Sequence, residues 1–172
     1  MWASKSLYSH MGIVELKDGK PFVLEAIAKV SETPIEKWIN RGRLNRFAVY
    51  RYKNLQTTKR EEIVAAAKKL LGRPYDIYFS THNDSIYCSE LAGLAYQAAG
   101  LMLGKWQKVS ELDVDNFLAR TLIKKRSANH PACRGKKITT EKCWENILAD
   151  EVLSPDSVAS DKNLELVYSN YP

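Results

Sequence analysis

A cysteine at the predicted start of a helix is the residue of this sequence best suited to nucleophilic chemistry. Cys88 lies where a polar loop gives way to a helix of small residues that ends at Gly100. The positive end of a helix lowers the pKa of a thiol there, and its free backbone N–H groups, including that of Cys88, are suited to hold a developing oxyanion. A buried structural cysteine is the alternative, and it is equally typical of this position.

A histidine and a glutamate are predicted to meet on one face of a β-hairpin. Asp18-Gly19 is a strong signal for a two-residue turn. With that turn, Gly12 opposes Glu25, and His10 is the diagonal neighbour of Glu25, about 7–8 Å away at the backbone. Because Gly12 has no side chain, the carboxylate has room to lean toward the imidazole. This pair is the base-plus-orienter half of a catalytic triad; a His–Glu pair that only stabilises the hairpin is the alternative.

The other two cysteines, Cys133 and Cys143, lie in one polar segment and suit either of two roles. In an oxidising compartment they would form a disulfide. Together with His130 they would instead supply three metal ligands, but no fourth ligand stands at a familiar spacing, so no metal or cofactor is predicted. His82 and His130 are otherwise predicted to be surface residues.

The elements that must position these residues indicate an α+β fold, with an antiparallel β-sheet packed against helices. Alternation of apolar residues and enrichment in β-branched and aromatic residues predict the strands, at 8–16, 21–27, 46–52 and 164–168. Helices are predicted around 35–39, from Thr57 or Thr58 to Gly72, at 89–99 and between 109 and 126. The segment 127–146 is predicted to be polar and irregular.

Length and composition favour one domain over residues 1–172, and they exclude several functions. The net charge is +6, but the basic residues are scattered and not interleaved with aromatics, so no nucleic-acid partner is predicted. No apolar run approaches the roughly 20 residues that a membrane span needs. Met1–Lys5 does not resemble a signal peptide, so we expect a cytoplasmic protein, or a periplasmic or exported one if a signal precedes the chain. The oligomeric state is not predicted.

Several motifs, in this order, resemble those of the YiiX-like permuted papain-fold amidases, relatives of the NlpC/P60 cell-wall peptidases. They are the histidine strand, the acidic strand, the tyrosine-bearing loop and the nucleophile helix, at 8–14, 22–26, 72–76 and 86–91. The resemblance covers residues 6–125 and the tail after Val152. A histidine that precedes the cysteine fits a circularly permuted papain-like fold, and chain order does not forbid the same site geometry.

The resemblance implies a role for each motif residue: Cys88 as nucleophile, His10 as base, Glu25 as orienter, and Tyr75 and Tyr87 as contacts to the substrate or its oxyanion. It implies a cysteine hydrolase that cleaves an amide through a thioester acyl-enzyme. The substrate would be a cell-wall peptide or a lipid-linked amide. An acyltransferase on lipids that uses the same Cys-His-Glu site, and a non-catalytic binding module for anionic polymer or lipid, are the alternatives.

Overall fold

The first strands of the chain form a three-stranded antiparallel sheet. The computed structural model describes residues 6–112, 121, 129–135 and 137–172. Strands β1 (Ile13–Lys17), β2 (Lys20–Ala26) and β3 (Val30–Pro34) lie in the order β1-β2-β3. Asp18 and Gly19 both have positive φ, 51° and 73°, as the predicted two-residue turn requires. The predicted register is confirmed, since Lys17 pairs with Lys20 along the hairpin.

Two boundaries of this sheet differ from the prediction. Residues 8–12 are not in a strand, so His10 stands on the extended segment that leads into β1. Strand β3 is absent from the predicted strands, because Val30–Pro34 carries Ser, Glu and Thr and shows no apolar alternation. Pairing with β2 makes it a strand: Ala26 opposes Val30, and Val23 opposes Thr33. Tertiary pairing here overrides a weak local preference.

The remaining strands form two further antiparallel pairs. Strand β4 (Ala48–Tyr52) pairs with β7 (Leu164–Ser169), so the predicted third and final strands are confirmed. Strand β5 (Gln107–Lys108) pairs with β6 (Glu151–Val152). The predicted α+β class with antiparallel strands and packed helices is therefore confirmed, with the strands distributed over separate sheets.

Helices fill the chain between these strands, and three of them match the predictions. They are α1 (Ile35–Asn40), α2 (Thr57–Lys68) and α3 (Cys88–Ala98). The N-cap of α2 is Gln56, so Thr57 and Thr58 both lie inside the helix. Of the helix predicted between 109 and 126, Val109–Glu111 is a 3-10 turn, and most of the rest lies outside the described residues. No helix in the described ranges is long and apolar enough to cross a membrane.

The segment predicted to be irregular contains a helix, α4 (Thr140–Ala149), and a short helix α5 (Pro155–Ala159) follows it. The Thr139 side chain caps α4 by accepting a hydrogen bond from the backbone N–H of Lys142. Cys143 and Ile147, four residues apart, bury one face of this helix. Cys133 and Cys143 form a disulfide that joins α4 to the preceding segment. The amphipathic spacing was present in the sequence and was obscured by the polar residues around it.

Helix α3 lies in the core against α2 and β2. Gly93 allows this depth, because a Cβ atom there would lie 2.8 Å from Leu153 Cδ2 and 3.0 Å from Trp106 Cζ2. Three apolar residues of α3 have no exposed surface: Leu91, Ala92 and Ala95. The predicted small-residue helix therefore carries Cys88, its first residue, on a rigid and buried support.

Candidate active site

Cys88 occupies the start of α3, and the residue is buried. The backbone N–H groups of a first helical turn have no acceptor within the helix, and they point toward the space in front of it. The Glu90 side chain accepts one of the local donors, the Tyr87 N–H, at 3.2 Å. The position of Cys88 at a helix N-terminus, predicted from the sequence, is confirmed.

His10 is hydrogen-bonded to Glu25, and it interacts electrostatically with Cys88. Its Nε2 is 2.7 Å from Glu25 Oε2, which confirms the predicted contact across the hairpin. Because Nε2 is engaged there, Nδ1 is the ring nitrogen left for the Cys88 sulfur. The Glu25 side chain is fully buried, whereas that of His10 is partly open to solvent. A tightly held carboxylate therefore orients a histidine that a substrate can reach.

Gly12 allows the segment that carries His10 to lie close to β2. A Cβ atom at this position would lie 2.5 Å from Val23 Cγ1 and 2.6 Å from the Leu24 carbonyl oxygen. Its distance to Glu25 Cβ would be 3.3 Å. We expected a glycine that leaves room for the carboxylate, and the structure adds a stricter requirement: any side chain here would push the segment bearing His10 away from β2.

Two further side chains hold Glu25, and sequence reasoning missed both. Thr33 donates its hydroxyl to Glu25 Oε1 at 2.5 Å, and the Arg41 guanidinium forms an ion pair with the same oxygen. Thr33 lies on β3 diagonally across from Glu25, so recognising β3 would have revealed it. Arg41 follows the end of α1, and no local signal in the sequence points from it to Glu25.

The charged forms of Glu25, His10 and Cys88 stabilise one another. Burial raises the pKa of Glu25, but hydrogen bonds from His10, Arg41 and Thr33 outweigh it and lower that pKa to about 2. Burial lowers the pKa of His10, but hydrogen bonds and charge from Cys88 and Glu25 raise it to about 9. Burial raises the pKa of the Cys88 thiol, but interactions with His10, the Met11 backbone and the Ser89 side chain together outweigh it and lower that pKa below its ordinary value. The directions of both shifts favour a thiolate beside an imidazolium.

Tyr75 and Tyr87, the two tyrosines predicted to contact the substrate, both pack against the ring of Phe79. The ring of Phe79 is 6.3 Å from that of Tyr75 and 5.3 Å from that of Tyr87. Tyr75 is half-buried, whereas Tyr87 is buried and its hydroxyl accepts a hydrogen bond from the Leu153 N–H at 3.0 Å. A role in substrate contact stays a prediction for both, and for Tyr87 the structure supplies a structural partner.

The other two histidines lie in a separate polar cluster. His82 is exposed, as predicted, and its Nε2 is 2.9 Å from Asp150 Oδ1, while the Ser80 hydroxyl donates to the other oxygen of Asp150. His130 is buried, which corrects the prediction of a surface residue, and its Nδ1 accepts the Ala132 N–H. Its ring packs edge-on against that of Tyr78, with the centroids 5.7 Å apart. Among the described residues, no group of three or more His, Cys, Asp or Glu side chains is arranged to hold a metal ion.

A cavity of about 1120 Å³ opens directly on His10. Its walls are mainly apolar and come from the outer face of β1, from α1 and from β4. Trp38 of α1 lies over His10, with the two ring centroids 6.0 Å apart. Ala92 and Tyr96 of α3 also line the cavity, whereas Cys88 does not.

Comparison with known proteins identifies the class to which this fold and site belong. Residues 3–168 match the family described as permuted papain-like amidase enzymes, YaeF/YiiX, C92 family. The chain therefore belongs to the permuted papain-like amidase family, as the motifs in the sequence indicated.

Two similar proteins of this family come from Escherichia coli. The uncharacterized protein YiiX of strain K12 is 32% identical over 172 residues, which cover 99% of this chain and 78% of that protein. The crystal structure of YiiX from E. coli O157:H7 superimposes with a TM-score of 0.84 at 34% identity, over 99% of this chain and 87% of the other. That protein is described as a metalloprotein.

Proposed function

We propose that this protein is a cysteine hydrolase that cleaves an amide bond, with Cys88 as nucleophile, His10 as general acid and base, and Glu25 as the group that orients His10. The observation that carries the proposal is the hydrogen bond between His10 and the buried Glu25 carboxylate, with the buried Cys88 close enough for His10 to lower the pKa of its thiol. A nucleophile, its base and an orienting carboxylate in contact are the signature of nucleophilic catalysis.

The reaction follows from the charges of these groups. The Cys88 thiolate attacks the carbonyl carbon, and the N–H groups at the start of α3 stabilise the oxyanion that forms. Protonated His10 gives its proton to the leaving nitrogen as the C–N bond breaks, which leaves a thioester on Cys88. Neutral His10 then takes a proton from water, the hydroxide attacks the thioester, and a carboxylic acid leaves. The thiolate and the imidazolium are thereby restored.

The walls of the cavity favour a lipid-linked amide over a cell-wall peptide. Most of its lining is apolar, including Val14, Ile27 and Trp38 near His10. An apolar chain gains free energy from burial there, whereas a polar peptide would leave its amide groups without partners. In this proposal Tyr75, half-buried near the loop before Cys88, contacts the substrate.

The rate at which iodoacetamide alkylates Cys88 between about pH 4 and pH 9 tests the ion pair on which this proposal rests. Cys88 is the free thiol, because Cys133 and Cys143 are paired with each other. We expect alkylation to continue well below the reference thiol pKa of about 8.5, and His10→Ala to shift the profile back toward that value. A Cys88 that is unreactive, or indifferent to His10→Ala, would overturn the proposal.

Turnover of long-chain N-acyl amides then separates the remaining alternatives. Hydrolysis releases the free carboxylic acid, and Cys88→Ala is expected to abolish its release. An amine or hydroxyl acceptor that accelerates turnover at a fixed donor concentration would instead indicate an acyltransferase. Binding to anionic lipid or polymer that survives Cys88→Ala, without any turnover by the wild-type protein, would indicate a binding module.

A further inference from the structure

One loop at the mouth of the cavity exposes a leucine in a backbone conformation that leucine rarely adopts. Leu44 is 71% exposed, and its φ is 57°; Asn45 beside it has a φ of 53°. This left-handed region is unfavourable for a residue with a branched side chain. A side chain that is held in solvent at such a cost, instead of turning into the core, is typical of a contact surface.

The loop is fixed in place by the end of the chain. Asn170 accepts the Phe47 N–H at 2.7 Å through Oδ1 and donates to the Asn45 carbonyl oxygen at 2.9 Å through Nδ2. Within the loop, the Asn45 N–H donates to the Gly42 carbonyl oxygen at 3.0 Å. The exposure of Leu44 is therefore part of an ordered structure and does not result from a frayed segment.

Two arginines flank Leu44 and give this loop its charge. Arg43 and Arg46 are exposed, line the same cavity, and form no ion pair with any residue in the described ranges. Arg51 also lines the cavity, but it faces the opposite charge of Glu165 across the β4–β7 pair. Unpaired guanidinium groups beside an exposed leucine suit a surface that is both anionic and apolar.

A second exposed apolar edge borders the cavity on the side of β1. Leu16 is 72% exposed, and Val14 on the same face is also exposed. Helix α1 packs against β2 and β3 and leaves this part of the sheet face uncovered. Leu16 and Val14 therefore line the same cavity as Leu44 and His10.

We infer that the mouth of the cavity docks on an anionic lipid bilayer, with Leu44 and Leu16 inserted among the acyl chains and Arg43 and Arg46 on the lipid phosphates. A second copy of this chain is a poor occupant, because the arginines would face each other. A soluble anionic polymer would engage the arginines but would leave the leucines in water. The net charge of +6 acts in the same direction as these arginines.

Docking is tested by sedimentation of the protein with two kinds of vesicle, one of phosphatidylcholine alone and one of phosphatidylcholine with phosphatidylglycerol. We expect binding to the second kind only, and a lower affinity at high salt. Leu44→Gly removes the leucine side chain while suiting the positive φ, so the fold is preserved. Leu44→Gly is expected to lower the affinity for the anionic vesicles several-fold. The double variant Arg43→Gln with Arg46→Gln is expected to lower that affinity about fivefold for each charge removed.

Matched controls separate this surface from general charge and hydrophobicity. Met102→Ala removes a side chain that is 65% exposed and does not line the cavity, and it should leave the affinity unchanged. Lys108→Gln with Arg134→Gln, also outside the cavity, removes the same charge and should have a smaller effect. All variants are compared in the Cys88→Ala protein, so that turnover plays no part.

Three results would overturn the inference. They are no binding to the anionic vesicles, equal binding by the wild type and Leu44→Gly, or a dimer that forms without lipid and that Leu44→Gly converts to monomers. The second would indicate a polymer-binding surface, and the third a self-association surface. None of them depends on the reactivity of Cys88, which alkylation measures separately, so docking and catalysis can fail independently.

Discussion

At the scale of single residues, the site depends on close contacts around the buried Glu25. Glu25 is buried with three partners, and two of them, His10 and Arg41, are cations that keep it ionised. A buried carboxylate requires such compensation. The contact between His10 and Glu25 could be predicted from the hairpin register, because a two-residue turn determines which residues oppose one another. The contact of Arg41 could not be predicted, because it depends on how the end of α1 packs.

Gly12→Ala is expected to lower the free energy of unfolding by about 1–3 kcal/mol, because the new Cβ would collide with Val23 Cγ1 and the Leu24 carbonyl oxygen. The same displacement would move His10 away from Cys88 and raise the pKa of the thiol. Urea unfolding measures the first effect, and the pH profile of alkylation measures the second. Ser9→Ala, at an exposed neighbouring position, is the control. Unchanged stability and an unchanged profile in Gly12→Ala would contradict the close-approach argument.

At the scale of secondary-structure elements, the nucleophile helix is fastened to the strand end near Leu153. The Leu153 N–H donates to the Tyr87 hydroxyl, and the Leu153 carbonyl oxygen accepts a hydrogen bond from the Ser89 hydroxyl at 2.7 Å. These bonds lie on either side of Cys88 and join segments far apart in the sequence. The start of α3 could be predicted from its composition, whereas its attachment to Leu153 could not, because no local pattern links the two.

Tyr87→Phe tests whether this tyrosine is structural. It leaves the buried Leu153 N–H without its acceptor, so we expect a loss of about 1–3 kcal/mol in unfolding free energy and an alkylation profile like that of the wild type. Thermal or urea unfolding provides the measurement, with Tyr168→Phe, at an exposed site, as the control. Unchanged stability together with a large loss of amide turnover would instead assign the Tyr87 hydroxyl to the substrate.

At the scale of the whole molecule, the charges of the site couple global stability to pH. The pKa of Glu25 falls from 4.5 to about 2 on folding, so its contribution is present above about pH 4.5 and is lost as the pH falls toward 2. The pKa of His10 rises from 6.5 to about 9, so its contribution is present below about pH 6.5 and is lost as the pH rises through 9. Both contributions to the free energy of unfolding are complete only between about pH 4.5 and pH 6.5.

Urea unfolding from about pH 2 to pH 6 is expected to show a loss of about 3 kcal/mol that Glu25 contributes on the acid side. Glu25→Gln should remove this part of the pH dependence. Glu61→Gln, on the exposed surface of α2, is the control and should keep the wild-type slope. An equal slope in wild type and Glu25→Gln would show that the acid sensitivity arises elsewhere.

The sequence by itself determined the features that depend on residues close together in the chain. These are the hairpin and its register, the contact between His10 and Glu25, the start of α3 at Cys88, and the motifs that indicate the family. Turn chemistry and hydrophobic periodicity act over a few residues, so they can be recognised without a structure. Only the tertiary structure showed that β3 is a strand and that His130 is buried. It also showed the hydrogen bonds of Thr33 and Arg41 to Glu25 and the cavity that opens on His10. Each of these depends on packing between segments that are distant in sequence, where long-range contacts override weak local preferences.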